Sequence, residues 1–147
     1  MTTRRFPKRC GKCGQQAMRL ASVPYAVTIE HDGRPYRVEI PNLSVPQCAH
    51  CEAISIDEEA DQQISTAFRQ AAGLLTPAAI RAGREKLGRT QKEFASLLGV
   101  GEATVSRWET GAQVQQRAMD RFLRLCFASP VAVELLQNDF QPAPQGT

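Results

Sequence analysis

The chain has 147 residues, of which 42% are hydrophobic and 22% charged, with a formal net charge of +3. This composition excludes low-complexity and collagen-like chains, and no apolar run approaches the ~20 residues of a membrane-spanning helix. The length allows one domain or two small ones.

Charge is unevenly spread. Residues 1–56 carry a net +4, residues 57–73 a net −3, and residues 74–147 a net +2. A basic–acidic–basic order predicts two modules joined by an acidic helix. The N-terminus carries Arg4-Arg5-Phe6, the opening of a twin-arginine signal. No apolar segment follows it, so the expectation is a cytoplasmic chain with reduced cysteines.

The first motif is Cys10-Gly-Lys-Cys13-Gly14. Residues 25–30 and 36–40 alternate apolar and polar on either side of Asp32-Gly33, which predicts a β-hairpin whose second strand ends at Pro41. Cys48-Ala-His-Cys51 follows, with 34 residues between Cys13 and Cys48. The hairpin accounts for that gap, because it doubles back and returns the second pair beside the first. Two Cys-x-x-Cys turns can complete a tetrahedral thiolate set with no open position, which points to one structural zinc ion on Cys10, Cys13, Cys48 and Cys51. Iron is the competing ion, though only Cys13 is followed by glycine. A thiol redox role requires a βαβ context that is missing. His50 lies inside the second turn as a spare ligand, His31 reads as solvated, and Cys126 reads as core.

From Asp57 to about Ala72, Ile64, Ala67, Phe68 and Ala71 recur at helical spacing behind four acidic residues that suit a helix start. Thr76-Pro77 opens the next helix and Gly88 closes it. Thr90 and Glu93 form a capping box for a helix that buries Phe94, Ala95 and Leu98. Gly99-Val100-Gly101 makes a turn, and residues 102–109 form another short helix stopped by Gly111. Residues 115–127 predict a helix burying Ala118, Phe122, Leu125 and Cys126, with Arg117, Arg121 and Arg124 exposed to solvent or to phosphate. Residues 130–136 predict a short last one, and the tail from Gln137 reads as frayed.

Two short capped helices around a glycine turn are the layout of a helix-turn-helix, whose second helix enters the DNA major groove. Val105 and Trp108, three apart, turn inward together and leave Glu102, Ala103, Thr104, Ser106 and Arg107 to face outward. Arg107 is the leading candidate for base reading, since a guanidinium engages guanine O6 and N7 bidentately. Thr90, Gln91 and Lys92 suit phosphate positioning. No catalytic constellation is present: Ser96, Ser106 and the two histidines have no argued nucleophile–base geometry, so an enzyme is not expected.

Cys-Ala-His-Cys-Glu after a hairpin, then Thr-Gln-Lys-Glu and Val-Ser-Arg-Trp-Glu-x-Gly, resembles the MqsA (YgiT-type) antitoxins, from Cys10 to about Pro130. Those proteins join an N-terminal zinc domain to a C-terminal helix-turn-helix of the XRE type. The resemblance implies zinc on the four cysteines, homodimerisation through the C-terminal domain, a palindromic double-stranded operator, and repression of the protein's own operon. It also implies that the zinc domain neutralises a small RNA-cleaving toxin. Family base contacts fall on an Asn and an Arg; the Arg matches Arg107, but the Asn position is Ala103, so operator sequence does not transfer. The basic segment before Cys10 is an addition to the pattern. A stand-alone XRE-type regulator without a toxin is the alternative.

The expected fold is therefore α+β: a small zinc-bound β-hairpin domain followed by an all-α helix-turn-helix domain of about five helices. The expected boundaries are 1–56 for zinc binding, 57–73 for the acidic linker helix, 74–137 for DNA binding and dimerisation, and 138–147 for a flexible tail.

Overall fold

A computed structural model describes residues 4–138; the expected tail lies outside the described residues beyond Asn138. The chain divides into two compact units, Met1–Gly73 and Leu74–Thr147. The first holds one antiparallel hairpin and one helix and the second holds five helices, giving the α+β class expected. No helix among the described residues is long and apolar enough to cross a membrane.

Strand β1 (Met18–His31) pairs with β2 (Arg34–Cys48). Asp32 and Gly33 both have positive φ, 52° and 71°, the requirement of a two-residue turn whose twist matches that of the flanking strands. The hairpin is much longer than the sequence suggests, and β2 continues past Pro41. The reason lies in the register: Val23 pairs with Leu43 and Tyr25 with Ile40, so Pro24 and Pro41 fall together at an irregularity between them. A proline there removes no ladder hydrogen bond. Beyond it the ladder resumes to Met18 opposite Cys48.

Residues 23, 25, 27 and 29 are half-buried and alternate with exposed neighbours. This inner face joins Leu43 and Val45 on β2 and meets helix α1 (Glu58–Ala72) through Ala60 and Ile64. The helix expected to be a linker is thus part of the first unit's core. Asp57 caps it by accepting from the Ala60 N–H at 3.0 Å. The same carboxylate receives two 2.8 Å bonds from the Arg4 guanidinium, which also donates to the Ser44 hydroxyl and carbonyl at 3.0 Å. Arg4, in the basic segment before Cys10, thus ties that segment to β2 and α1. His31 is likewise not merely solvated: its ring sits edge-on to Phe68 at 5.4 Å, as does that of Tyr36 at 5.7 Å. Arg69 is buried and bonded to the Ser65 hydroxyl.

In the second unit, α2 (Pro77–Lys86) and α3 (Gln91–Leu98) start as expected, with the Thr76 and Thr90 hydroxyls accepting from Ala79 and Glu93 N–H groups. Then follow α4 (Glu102–Thr110), α5 (Arg117–Ala128) and α6 (Pro130–Gln137). Ile80, Phe94, Ala95, Val105, Trp108 and Leu123 form the core, where a fully buried large side chain contributes about 1.5–3 kcal/mol. Helix α5 is rotated from the expected face. It buries Asp120, Leu123 and Cys126, whereas Ala118 and Leu125 are exposed and Phe122 is half-buried. The cause is Asp120, whose carboxylate accepts from the Leu75 N–H at 2.7 Å, Gln115 Nε2 at 3.1 Å and Arg124 Nε at 2.8 Å. A carboxylate so satisfied can be buried, and it turns the helix about its own axis.

Candidate functional site

The hairpin's root assembles the four thiols. Lys8 bridges to Met18, and Met18 pairs with Cys48, so the segment leading into Cys10 lies beside the end of β2. Cys10 and Cys48 are buried, Cys13 and Cys51 half-buried, and Cys126 sits apart in the second unit's core. The four sulfurs lie within 4.8 Å of one another, with Cys10–Cys51 and Cys13–Cys48 both at 3.6 Å. A tetrahedral ion with metal–sulfur bonds of about 2.3 Å requires sulfur–sulfur edges near 3.8 Å, so the set fits a metal ion. The Lys12 N–H points at Cys10 Sγ (3.4 Å), and the His50 and Cys51 N–H groups at Cys48 Sγ (3.4 and 3.5 Å). N–H donors of Cys13 and Lys12 hold the Cys10 thiol down to about 6, and those of Cys51 and His50 lower Cys48. These donors favour thiolate, the form that binds metal.

Each turn closes on a residue of positive φ, Gly14 at 77° and Glu52 at 63°. The second knuckle thus has the same backbone shape as the first although it lacks the glycine. His50 is exposed, and the ligand cluster consists of the four cysteines alone among the described residues.

On α4, Val105 and Trp108 are buried at 0% and 3% exposure. Glu102, Ala103 and Arg107 are exposed, and Thr104 and Ser106 are half-buried. On α3, Lys92 is exposed and Gln91 half-buried, while Thr90 spends its hydroxyl as the cap. Sequence reasoning missed what lies behind α4. Buried Arg84 on α2 grips Glu109 through Nε and Nη2 at 2.9–3.1 Å and donates to the Arg89 carbonyl at 2.8 Å. The Glu109 hydrogen bond raises the Arg84 pKa against the opposing cost of burial. A signal existed: an acid in the last turn of a helix opposes the dipole, so Glu109 needs a cationic partner.

Four converging thiols at the root of a hairpin unit, followed by a helical unit that props a short, outward-facing helix on its tryptophan, define a two-part protein with a four-thiol cluster able to hold a metal ion and a small helical module. The family model for the antitoxin component of a bacterial toxin-antitoxin system, MqsA, matches residues 8–137, and the chain belongs to that family. No curated protein matches it.

Proposed function

We propose that this chain is a DNA-binding antitoxin that represses its own operon. In this reading α3, the turn at 99–101 and α4 are a helix-turn-helix. Arg107, Ala103, Glu102, Ser106 and Thr104 meet base edges, and Thr90, Gln91 and Lys92 meet phosphates. The observation that carries the reading is the division of α4: Val105 and Trp108 are sealed in the core, while Arg107 is exposed on the other face with no ion-pair partner among the described residues. An arginine held out by a buried scaffold is what bidentate guanine recognition requires.

The acting form is a homodimer on a palindromic operator. Support comes from the exposure of Leu125 on α5 and of Val131 and Leu135 on α6, at 54%, 63% and 48%, and from the low net charge of the helical module, which leaves one copy with weak electrostatic attachment. Residues 1–56 form the metal module, with 57–73 packed along it. Residues 74–137 bind DNA and dimerise. The ion is one zinc held by Cys10, Cys13, Cys48 and Cys51, where it cross-links the hairpin root; four thiolates favour zinc and leave no position for chemistry. The metal module's partner is a small RNA-cleaving toxin, and the complex works in the cytoplasm.

The test is a titration of duplex DNA from upstream of the protein's own gene. The wild type binds it, and Arg107→Ala weakens binding by roughly 1–3 kcal/mol per half-site with relaxed sequence preference. Equal affinity of the variant refutes the assignment. Purification from the native host tests the toxin: a small co-purifying ribonuclease supports it, and recovery of the chain alone favours a stand-alone regulator.

A further inference from the structure

The Arg84–Glu109 pair joins α2 to α4, and Glu109 has a second partner. Its Oε2 also accepts from Gln91 Nε2 at 3.3 Å. Gln91 is the first residue of α3, next to the Thr90 cap, so one carboxylate reaches three helices. A primary amide carries two N–H donors and one carbonyl acceptor. Committing one N–H to Glu109 restrains a side chain that would otherwise sample several rotamers, and it leaves the second N–H for another acceptor. Gln91 is half-buried rather than swung out into water, as such a restraint demands.

We propose that Glu109 is a positioning residue for DNA binding: it fixes the Gln91 amide so that the remaining N–H, at the start of α3, is set toward a phosphate oxygen. This rests on the DNA-binding reading above. The bland alternative is that Glu109 serves only to neutralise Arg84, with Gln91 a passive neighbour. The two differ in what they couple. A purely structural Glu109 affects stability and binds DNA equally well through any residue at position 91. A positioning Glu109 contributes to affinity only while Gln91 is present. Because the contact to phosphate is a neutral donor's, it adds affinity without adding to the salt dependence, which counts cationic contacts.

The experiment is a double-mutant cycle on the same upstream duplex, using Gln91→Met, Glu109→Gln and the double variant in the full chain. Gln91→Met keeps length and stem packing and should weaken binding about 2- to 10-fold, the worth of one hydrogen bond, with the salt slope unchanged. Any loss that Glu109→Gln causes through Arg84 is common to both backgrounds and cancels. The expected result is that Glu109→Gln costs less in the Gln91→Met background than in the wild type. Factors that simply multiply overturn the proposal while leaving DNA binding standing; a wild type that fails to bind the duplex overturns both. Should Glu109→Gln not fold, the Gln91 side-chain amide of the wild type decides by NMR. One amide proton displaced downfield of its free-glutamine position by the bond to Glu109, with its geminal partner moving on adding DNA, supports the proposal; both protons at free-glutamine positions and unresponsive to DNA refute it.

Discussion

Gly83 lies in the interior of α2, where glycine costs about 1 kcal/mol relative to alanine. A Cβ at this position would stand 2.6–2.7 Å from three atoms of the Phe127 ring. That ring in turn stacks on Phe94 at 5.8 Å with planes 16° apart. Gly83→Ala should therefore destabilise the helical unit by about 1–3 kcal/mol, the usual cost of overpacking, despite the better helix propensity; a higher melting temperature would contradict this packing. The two knuckle positions should respond in opposite directions. Gly14→Ala forces a side chain into a left-handed conformation at a cost of about 1–2 kcal/mol, whereas Glu52→Gly relieves that strain and should leave metal affinity equal or tighter, as a competitive chelator titration would measure. At this scale the converging cysteines and the buried Trp108 were readable because each announces itself by type and spacing. Glu109, Arg84 and Gly83 were not, since their roles come from partners 18 to 44 positions away.

Helix α5 shows why element faces are harder to read than element limits. Capping residues and glycines mark the ends of α2, α3 and α4 locally. The inward face of α5 depends on Asp120 accepting from a backbone N–H 45 positions earlier. Apolar periodicity cannot announce a buried carboxylate. The hairpin's extent was hidden for a related reason: Pro41 reads as a strand end until the register shows that it falls at an irregularity, beyond which the ladder resumes. Burial works to raise the Asp120 pKa, but the Leu75 N–H, Arg124 and Gln115 outweigh it and hold the carboxyl below its ordinary value of 3.8. A folded-state pKa below the unfolded one contributes stability that is present above about pH 4 and fades as pH falls through the folded value. Asp120→Asn should thus lower stability at neutral pH and flatten the acid limb of a denaturant series taken between pH 2 and 5. An unchanged slope would mean that this carboxylate is not linked to folding.

For the molecule as a whole, each unit has its own core, and the first is small enough to lean on its cross-link. The first unit's thiol cluster packs with Met18, Ala17 and Ala53, few of them large, so an ion bound there should supply much of that end's folding free energy. Stripping the ion with a chelator should collapse the NMR dispersion of residues 10–56 while the signals of residues 76–127 persist. Loss of both sets together would show that the units fold as one. The two-part order was legible from charge and motif spacing alone. What joined α1 to the hairpin was not, because Ala60 and Ile64 meet Leu43 and Val45 through contacts that no local pattern encodes.

Trp108 is the single tryptophan and sits on the buried face of α4, while both tyrosines, Tyr25 and Tyr36, belong to the hairpin. The protein therefore carries its own optical division of labour. Emission excited where only indole absorbs reports whether α4 is seated, and a red shift marks its departure. Tyrosine light, by contrast, belongs to the sheet, so two colours from an unlabelled sample follow the two halves separately.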